Sequence, residues 1–215
     1  MTNGVKAWSY SALSLYEICP AKFKYEKIDK LDYPTPDAFI RGRKVHKEAE
    51  HFLTRQTDDL APSLETFRDL FFELRELEPF VEQQWAFKRD WSQTTWFGKD
   101  TWLRGALDAG VVYADNEADV IDFKTGKPRD GYDDQLRLFA LMTFLRYPQV
   151  KNVNVRLWYV DTGDEVGPVT INRSIVTNAK SQWAQRVEPM FNDTVFAPRP
   201  NRFCNWCHFR ASNGS

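Results

Sequence analysis

The change of texture at Pro79 constrains this chain more than any other feature of its sequence. Before it, apolar residues recur every three to four positions: Leu13, Leu15, Tyr16 and Cys19 after a capping Ser9 or Ser11, then Phe39, Val45, Ala49, Phe52 and Leu53. Helices are therefore expected from Ser9 to Cys19, from Ala38 to about Leu60 and from Leu64 to Leu77, with a Pro-rich linker at Asp32 to Asp37. After Pro79, Val81–Trp91 and Lys99–Tyr113 are rich in aromatic and β-branched residues, and Asp119–Phe123 is a short strand between polar turns. These three strands are expected to form a meander. Tyr132–Tyr147 then reads as an amphipathic helix, followed by strands near Val153–Val160 and Gly167–Ile171 and a helix over Thr177–Phe191. The pattern predicts one α/β domain of 215 residues: a mostly helical portion (1–78), a sheet core (79–175) and a C-terminal helix with a cysteine-containing lobe (176–215).

Composition removes several functional classes. At 42% hydrophobic and 15% aromatic residues the chain carries enough apolar surface to fold. No apolar stretch reaches the roughly 18 residues of a membrane span, and the N-terminus lacks a signal-peptide core, so a cytoplasmic protein with no membrane partner is expected. Lys and Arg total 29 against 30 acids, a net charge of −1, so any site for a polyanion must be local. Two segments supply local positive charge. Pro20–Lys47 has a balance of +4, including Arg41, Arg43, Lys44 and Lys47, and Ala197–Ser215 has +3. Either could equally be an ordinary solvated face.

The segments Gly105-Ala106-Leu107-Asp108 and Asp122-Phe123-Lys124 place two acids and a lysine on adjacent strands. A two-residue turn at Asp115-Asn116 would make paired positions sum to 231 and put Asp108 on the opposite face from Asp122. A three-residue turn over Asp115–Glu117 gives 232, which sets Asp108 opposite Lys124 and on one face with Asp122. In that register the carboxylates need a compensating cation, and a hard divalent ion with oxygen ligands provides one. Such an ion activates water toward a phosphoryl group, with Lys124 positioned to hold that water or neutralise charge. Alternate Asp and Lys are also common in plain exposed ladders. His46 lies on a predicted helix one turn after Gly42, with Glu50 and His51 as rival ligands, and Gln135 opens the helix after the lysine strand.

In the order and spacing of these motifs the chain resembles the PD-(D/E)xK nuclease superfamily, in its RecB-like exonuclease branch. The resemblance runs through S-x-S-x-L-x-x-Y-x-x-C-P-x-x-F (Ser9–Phe23), G-x-x-x-H (Gly42–His46), G-x-x-D (Gly105–Asp108), D-x-K (Asp122–Lys124), Gln135-Leu136 and a terminal C-x-x-C. It implies a restriction-endonuclease-like core, a central mixed sheet flanked by helices. It also implies Mg2+ or Mn2+ held by His46, Asp108, Asp122 and the Phe123 carbonyl, Lys124 as catalytic lysine, and Gln135 near the scissile phosphate. Glu82 stands where relatives often carry a supporting glutamate. Arg41, Arg43, Lys44 and Lys47 become phosphate-steering candidates, with DNA as partner and a helicase or recombination protein as a further one, in a bacterium or a phage-infected cell.

Two positions depart from the family pattern. Phe139 replaces a tyrosine four residues after the glutamine, losing its hydroxyl. Relatives that bind an iron–sulfur cluster use one N-terminal and three C-terminal cysteines, spaced C-x2-C-x5-C; this chain offers Cys19, Cys204 and Cys207, with Asn213 at the fourth position. A three-cysteine cluster with a substitute ligand, zinc aided by His208, and plain thiols all remain open. The function implied is a metal-dependent deoxyribonuclease, an exonuclease on single-stranded or frayed ends. The alternative is a silent DNA-end-binding or assembly subunit that keeps the fold.

Overall fold

The computed structural model describes residues 3–128 and 131–210. These form two compact units, one within residues 35–180 and one drawn from the two ends of the chain, before residue 35 and after residue 180.

The larger unit is built on a six-stranded sheet: β1 (Phe80–Phe87), β2 (Gln93–Thr94), β3 (Leu103–Val112), β4 (Glu117–Lys124), β5 (Asn152–Tyr159) and β6 (Asp164–Asn172). Spatial order is β2-β1-β3-β4-β5-β6. The expected meander forms as β1, β3 and β4, antiparallel throughout, with two-residue β2 added at the edge of β1. Strand β5 then pairs parallel with β4, a connection that requires a crossover, and β6 returns antiparallel. The sheet is therefore mixed, and helices flank it.

Helix α3 (Asp37–Leu53) and α4 (Arg68–Glu76) cover one face. Val45, Ala49, Phe52, Phe71 and Leu74 from these helices bury against Ala109, Val111, Ile121, Phe123 and Trp158 from the sheet. The helix expected to reach Leu60 stops at Leu53, where Thr54 caps it and Arg55 turns left-handed at φ 59°. A 3₁₀ segment (Pro62–Phe67) precedes α4, because Pro62 cannot donate within a longer helix but fits a first turn. Helix α5 (Asp133–Arg146) is the crossover and lies against β3 and β5, and almost every residue from Leu136 to Phe144 is buried. Gly105 on β3 is close to α5: an added Cβ would sit 2.4 Å from the Met142 methyl.

The smaller unit carries α1 (Tyr10–Ile18), the single-turn α2 (Pro20–Phe23) and, across the boundary, most of α6 (Val176–Asn192). Ser9 caps α1 by accepting from the Ala12 amide at 3.2 Å. Within this unit Trp8 stacks on Trp183 (5.6 Å) and Phe23 on Phe196 (6.1 Å). The Tyr16 hydroxyl donates to Asp193 (2.9 Å), and Arg186 grips Glu17 with two bonds of 2.7 and 2.9 Å. Among the described residues no helix is long and apolar enough to cross a membrane.

Candidate metal centre and active site

The turn between β3 and β4 sets the geometry of the site. Paired positions sum to 230, neither 231 nor 232: the loop is Ala114-Asp115-Asn116, with Asn116 left-handed at φ 70° and the Tyr113 amide donating to the Glu117 carbonyl. The ladder ends at Ala109↔Ile121. Beyond it, the Phe123 amide donates to Asp108 Oδ2 at 2.7 Å instead of to a strand carbonyl. Asp108 thus belongs across from Asp122, two residues from the expected Lys124.

A second irregularity brings in Glu82. The pairs Val81↔Ala109 and Gln83↔Leu107 leave Glu82 facing Asp108, and Glu82 has φ 47°, a left-handed conformation costly for a residue with a Cβ. It resets the alternation of β1. Phe80 and Trp85, an odd number of residues apart, both pack on Tyr147 from one side of the sheet. Glu82 consequently turns toward His46, with Oε1 3.6 Å from His46 Nδ1.

His46, one turn after Gly42 on α3, completes the cluster. Its Nδ1 is 3.3 Å from Asp108 Oδ1 and its Nε2 donates to the Phe123 carbonyl at 3.0 Å. One ligand atom each from His46, Glu82 and Asp108 lies within 4.8 Å of the others, the one such group among the described residues. Burial disfavours a charged imidazole here, but hydrogen bonds to Asp108 and Glu82 and the charge of Asp122 outweigh it and push His46 up to about 10.

Asp122 is buried, and burial followed by repulsion from Asp108 pushes its carboxyl up to about 6 against the opposing pull of Lys124. Lys124 Nζ lies 2.6 Å from Asp122 Oδ2 and donates to Gln135 Oε1 at 3.3 Å, while Gln135 Nε2 donates back to Asp122 Oδ1 at 3.3 Å. This closed triangle fixes all three side chains. Burial works against the ammonium, yet Asp122 and then Asp108 hold Lys124 above its ordinary value.

Carboxylates, a main-chain carbonyl and an imidazole are the donor set of a hard divalent cation, and the carboxylates of Glu82, Asp108 and Asp122 against Lys124 and a protonated His46 leave one negative charge to compensate. The residues present fit such an ion. Of them, His46 and Glu82 line a cleft of about 760 Å³, together with Phe39, Gly42, Arg43, Lys47, Thr125, Gly126 and Lys127.

Residues 7–212 match the sequence profile of the PD-(D/E)XK nuclease superfamily. The chain belongs to that superfamily. This PD-(D/E)XK chain is similar in fold to the crystal structure of a protein from Eubacterium rectale named "Putative exonuclease", with a TM-score of 0.55 and 12% identity over 98% of this chain and 89% of that one. The structure named SSO0001 matches at TM-score 0.47 and 16% identity, covering 94% of this chain and 83% of the other. No curated protein matches the chain by sequence.

The remaining expected residues fall into three groups. Arg43 and Lys47 line the cleft, where Lys47 also pairs with Glu50 at 2.8 Å. Lys44 pairs with Glu48 outside it, and Arg41 holds Asp161 by two bonds; Asp161 also accepts from the Gly126 amide at 2.6 Å. Arg41 thereby pins the turn after Lys124. Phe139 is buried in α5, and the ring beside the lysine is that of Tyr132, 4.6 Å from Nζ. Sequence reading missed Tyr132 and Lys127, although both flank the D-x-K turn.

The three cysteines belong to the smaller unit and carry free thiols. Cys204 sits in a 3₁₀ turn (Arg202–Trp206) with Cys207 just after it. The Asn201 amide donates to Cys204 Sγ at 3.3 Å and the Arg199 amide to Cys19 Sγ at 3.5 Å. Asn213 lies outside the described residues. His208 stacks on Tyr33 at 5.7 Å.

Proposed function

We propose that the protein is a divalent-metal-dependent deoxyribonuclease, working as an exonuclease on single-stranded or frayed DNA ends. The observation that carries this reading is the meeting of His46, Glu82 and Asp108 beside the Asp122–Lys124–Gln135 triangle, with His46 and Glu82 lining a cleft. His46, Asp108, Asp122 and the Phe123 carbonyl would hold the ion, with Glu82 as a further carboxylate. When bound, a divalent cation supplies Lewis acidity to the phosphodiester and lowers the pKa of water.

The chain's own groups do the rest. Lys124, held charged by Asp122 and kept in place by Gln135, presents N–H donors to the phosphoryl oxygens as negative charge builds on them. Asp108 and Asp122 orient the ligand set through their bonds to the Phe123 amide and to Gln135. Arg43, Lys47 and Lys127 along the cleft walls bind the flanking backbone phosphates. The exonuclease mode takes support from the name of the Eubacterium rectale neighbour. Three thiols fall one short of the four ligands that a cubane cluster takes, and no step of this proposal runs through them.

The test is incubation of end-labelled single-stranded DNA with the purified protein in Mn2+ or Mg2+, with EDTA and Asp122→Ala as controls. Products shortening from an end, abolished by either control, are expected. An unaffected strand, with the fold intact, favours the silent end-binding subunit instead.

A further inference from the structure

The residues between β1 and β3 hold aromatic side chains of two kinds. Trp91 and Trp102 are buried and meet edge to face at 5.0 Å, forming the foot of the loop. Trp96 and Phe97 do not join them: Phe97 is 86% exposed. The Arg104 guanidinium lies 5.7 Å from the Trp96 ring and 5.8 Å from that of Phe97. Among the described residues Arg104 has no ion-pair or hydrogen-bond partner, and its Nε is buried without one.

The loop is built to hold this arrangement. Thr101 Oγ1 donates to the Thr95 carbonyl at 2.8 Å, the Gly98 amide donates to the same carbonyl at 3.0 Å, and Lys88 pairs with Asp100 at 2.8 Å. A Cβ on Gly98 would come within 2.8 Å of Thr94 Oγ1, so the turn that lifts Phe97 outward needs a glycine.

Its position relates it to the metal centre. Arg104 precedes Asp108 by four residues on β3, about 13 Å along a strand. Trp85 and Gly105 point toward α5, at Tyr147 and Met142, so their neighbours Gln84, Ala106 and Arg104 face the side on which His46 meets Glu82 and Asp108. Gln84 and Ala106, paired with each other, are both exposed. An open strip of sheet thus runs from the metal centre to the aromatic loop, within reach of a few nucleotides.

We propose that Trp96, Phe97 and Arg104 form a stacking subsite for an unpaired nucleobase of the strand whose phosphate enters the metal centre. The subsite rests on the nuclease reading above. Every base has a π face, so an exposed ring takes any of them without reading sequence, and the unpaired guanidinium adds a cation to the ring face and a donor for the adjoining phosphate.

The experiment measures binding of labelled oligothymidylate in EDTA, where cleavage is stopped, and compares it with the same strand carrying abasic sites. Phe97→Ala is expected to weaken binding of the intact strand roughly 5- to 100-fold, with Phe97→Tyr near wild type. On the abasic strand wild type and Phe97→Ala are expected to bind alike. Arg104→Ala is expected to weaken both strands. Equal affinity of wild type and Phe97→Ala for the intact strand, or an equal loss on both strands, overturns the subsite, the second result pointing to backbone contact alone. Cleavage in Mn2+ is scored in parallel. Wild type that cuts DNA while Phe97→Ala binds and cuts like it removes only the subsite, whereas wild type that neither binds nor cuts removes the nuclease reading with it.

Discussion

The chain assembles potential ligands in two places, and the two differ in how they are held. In the larger unit His46, Glu82, Asp108 and Asp122 come from a helix and three neighbouring strands, and each has a partner that fixes its side chain. In the smaller unit Cys19, Cys204 and Cys207 come from a helix end and a short turn, and the sulfurs of Cys19 and Cys204 meet main-chain amides. Strand register can place several side chains precisely around a point, and helix termini offer no such lever. The contrast also has an electrostatic side. Three carboxylates against Lys124 and His46 leave the buried cluster one positive charge short, which favours binding a cation, while the thiols stand partly open.

The largest expected effect comes from Lys124→Ala, which removes the charge proposed to face the phosphate and should lower the cleavage rate by about 10² to 10³-fold while leaving metal affinity nearly intact. A single-turnover assay at saturating Mn2+ reads it. A rate near wild type would mean that the triangle serves the fold only. Glu82→Gln should act on the other coordinate, raising the Mn2+ concentration needed for half-maximal cleavage by about tenfold or more. If only thermal stability changes, Glu82 is a support for His46 and not part of the ion's surroundings.

A smaller effect follows from protonation. His46 rises from 6.5 to about 10 in the fold, so its contribution to stability is complete below pH 6.5 and is lost as pH climbs through 10. Asp122 rises from 3.8 to about 6, which makes stability fall further between those values. The metal-free protein should therefore unfold at progressively lower temperature from pH 4 upward, and Mg2+, by replacing the protons, should raise the melting temperature more at pH 8 than at pH 5.5. Calorimetry at the two pH values checks this: if the cluster does not bind the ion, Mg2+ leaves the melting temperature unchanged at both.

Least affected should be cleavage by Cys204→Ser. Losing one weak amide-to-sulfur bond costs about 1 kcal/mol or less of local stability, and the rate should stay near wild type. A large loss of activity, or visible colour in anaerobically purified protein that vanishes with this substitution, would tie the cysteine lobe to the reaction.

Much of this organisation is legible in the sequence, for a physical reason. Periodicity and texture follow from burial, so the switch from helix to strand at Pro79, the meander and the helix after Thr125-Gly126 could be read from residue order, while the mixed sheet is implied by the family resemblance. The D-x-K strand could be read because its spacing is local, whereas His46 is singled out from Glu50 and His51 by the resemblance in motif order. Register could not: the turn at Ala114–Asn116 and the left-handed Glu82 are single backbone decisions that no periodicity encodes, and they determine which carboxylates face each other. Nor does sequence separate Trp91 and Trp102, which pack the loop, from Trp96 and Phe97, which crown it. Arg41 shows the reverse case: read as a phosphate-steering candidate from its position in a basic run, it is held by Asp161.

The central claim is that this carboxylate cluster is a divalent metal centre on which DNA cleavage depends. Titrating Mn2+ into the wild-type protein and into Asp108→Asn by calorimetry, with DNA cleavage scored on the same samples, tests it most directly. The account predicts saturable Mn2+ binding and cleavage in the wild type and the loss of both together in Asp108→Asn. Mn2+ binding of unchanged affinity in the variant, or cleavage that persists in EDTA, would contradict it.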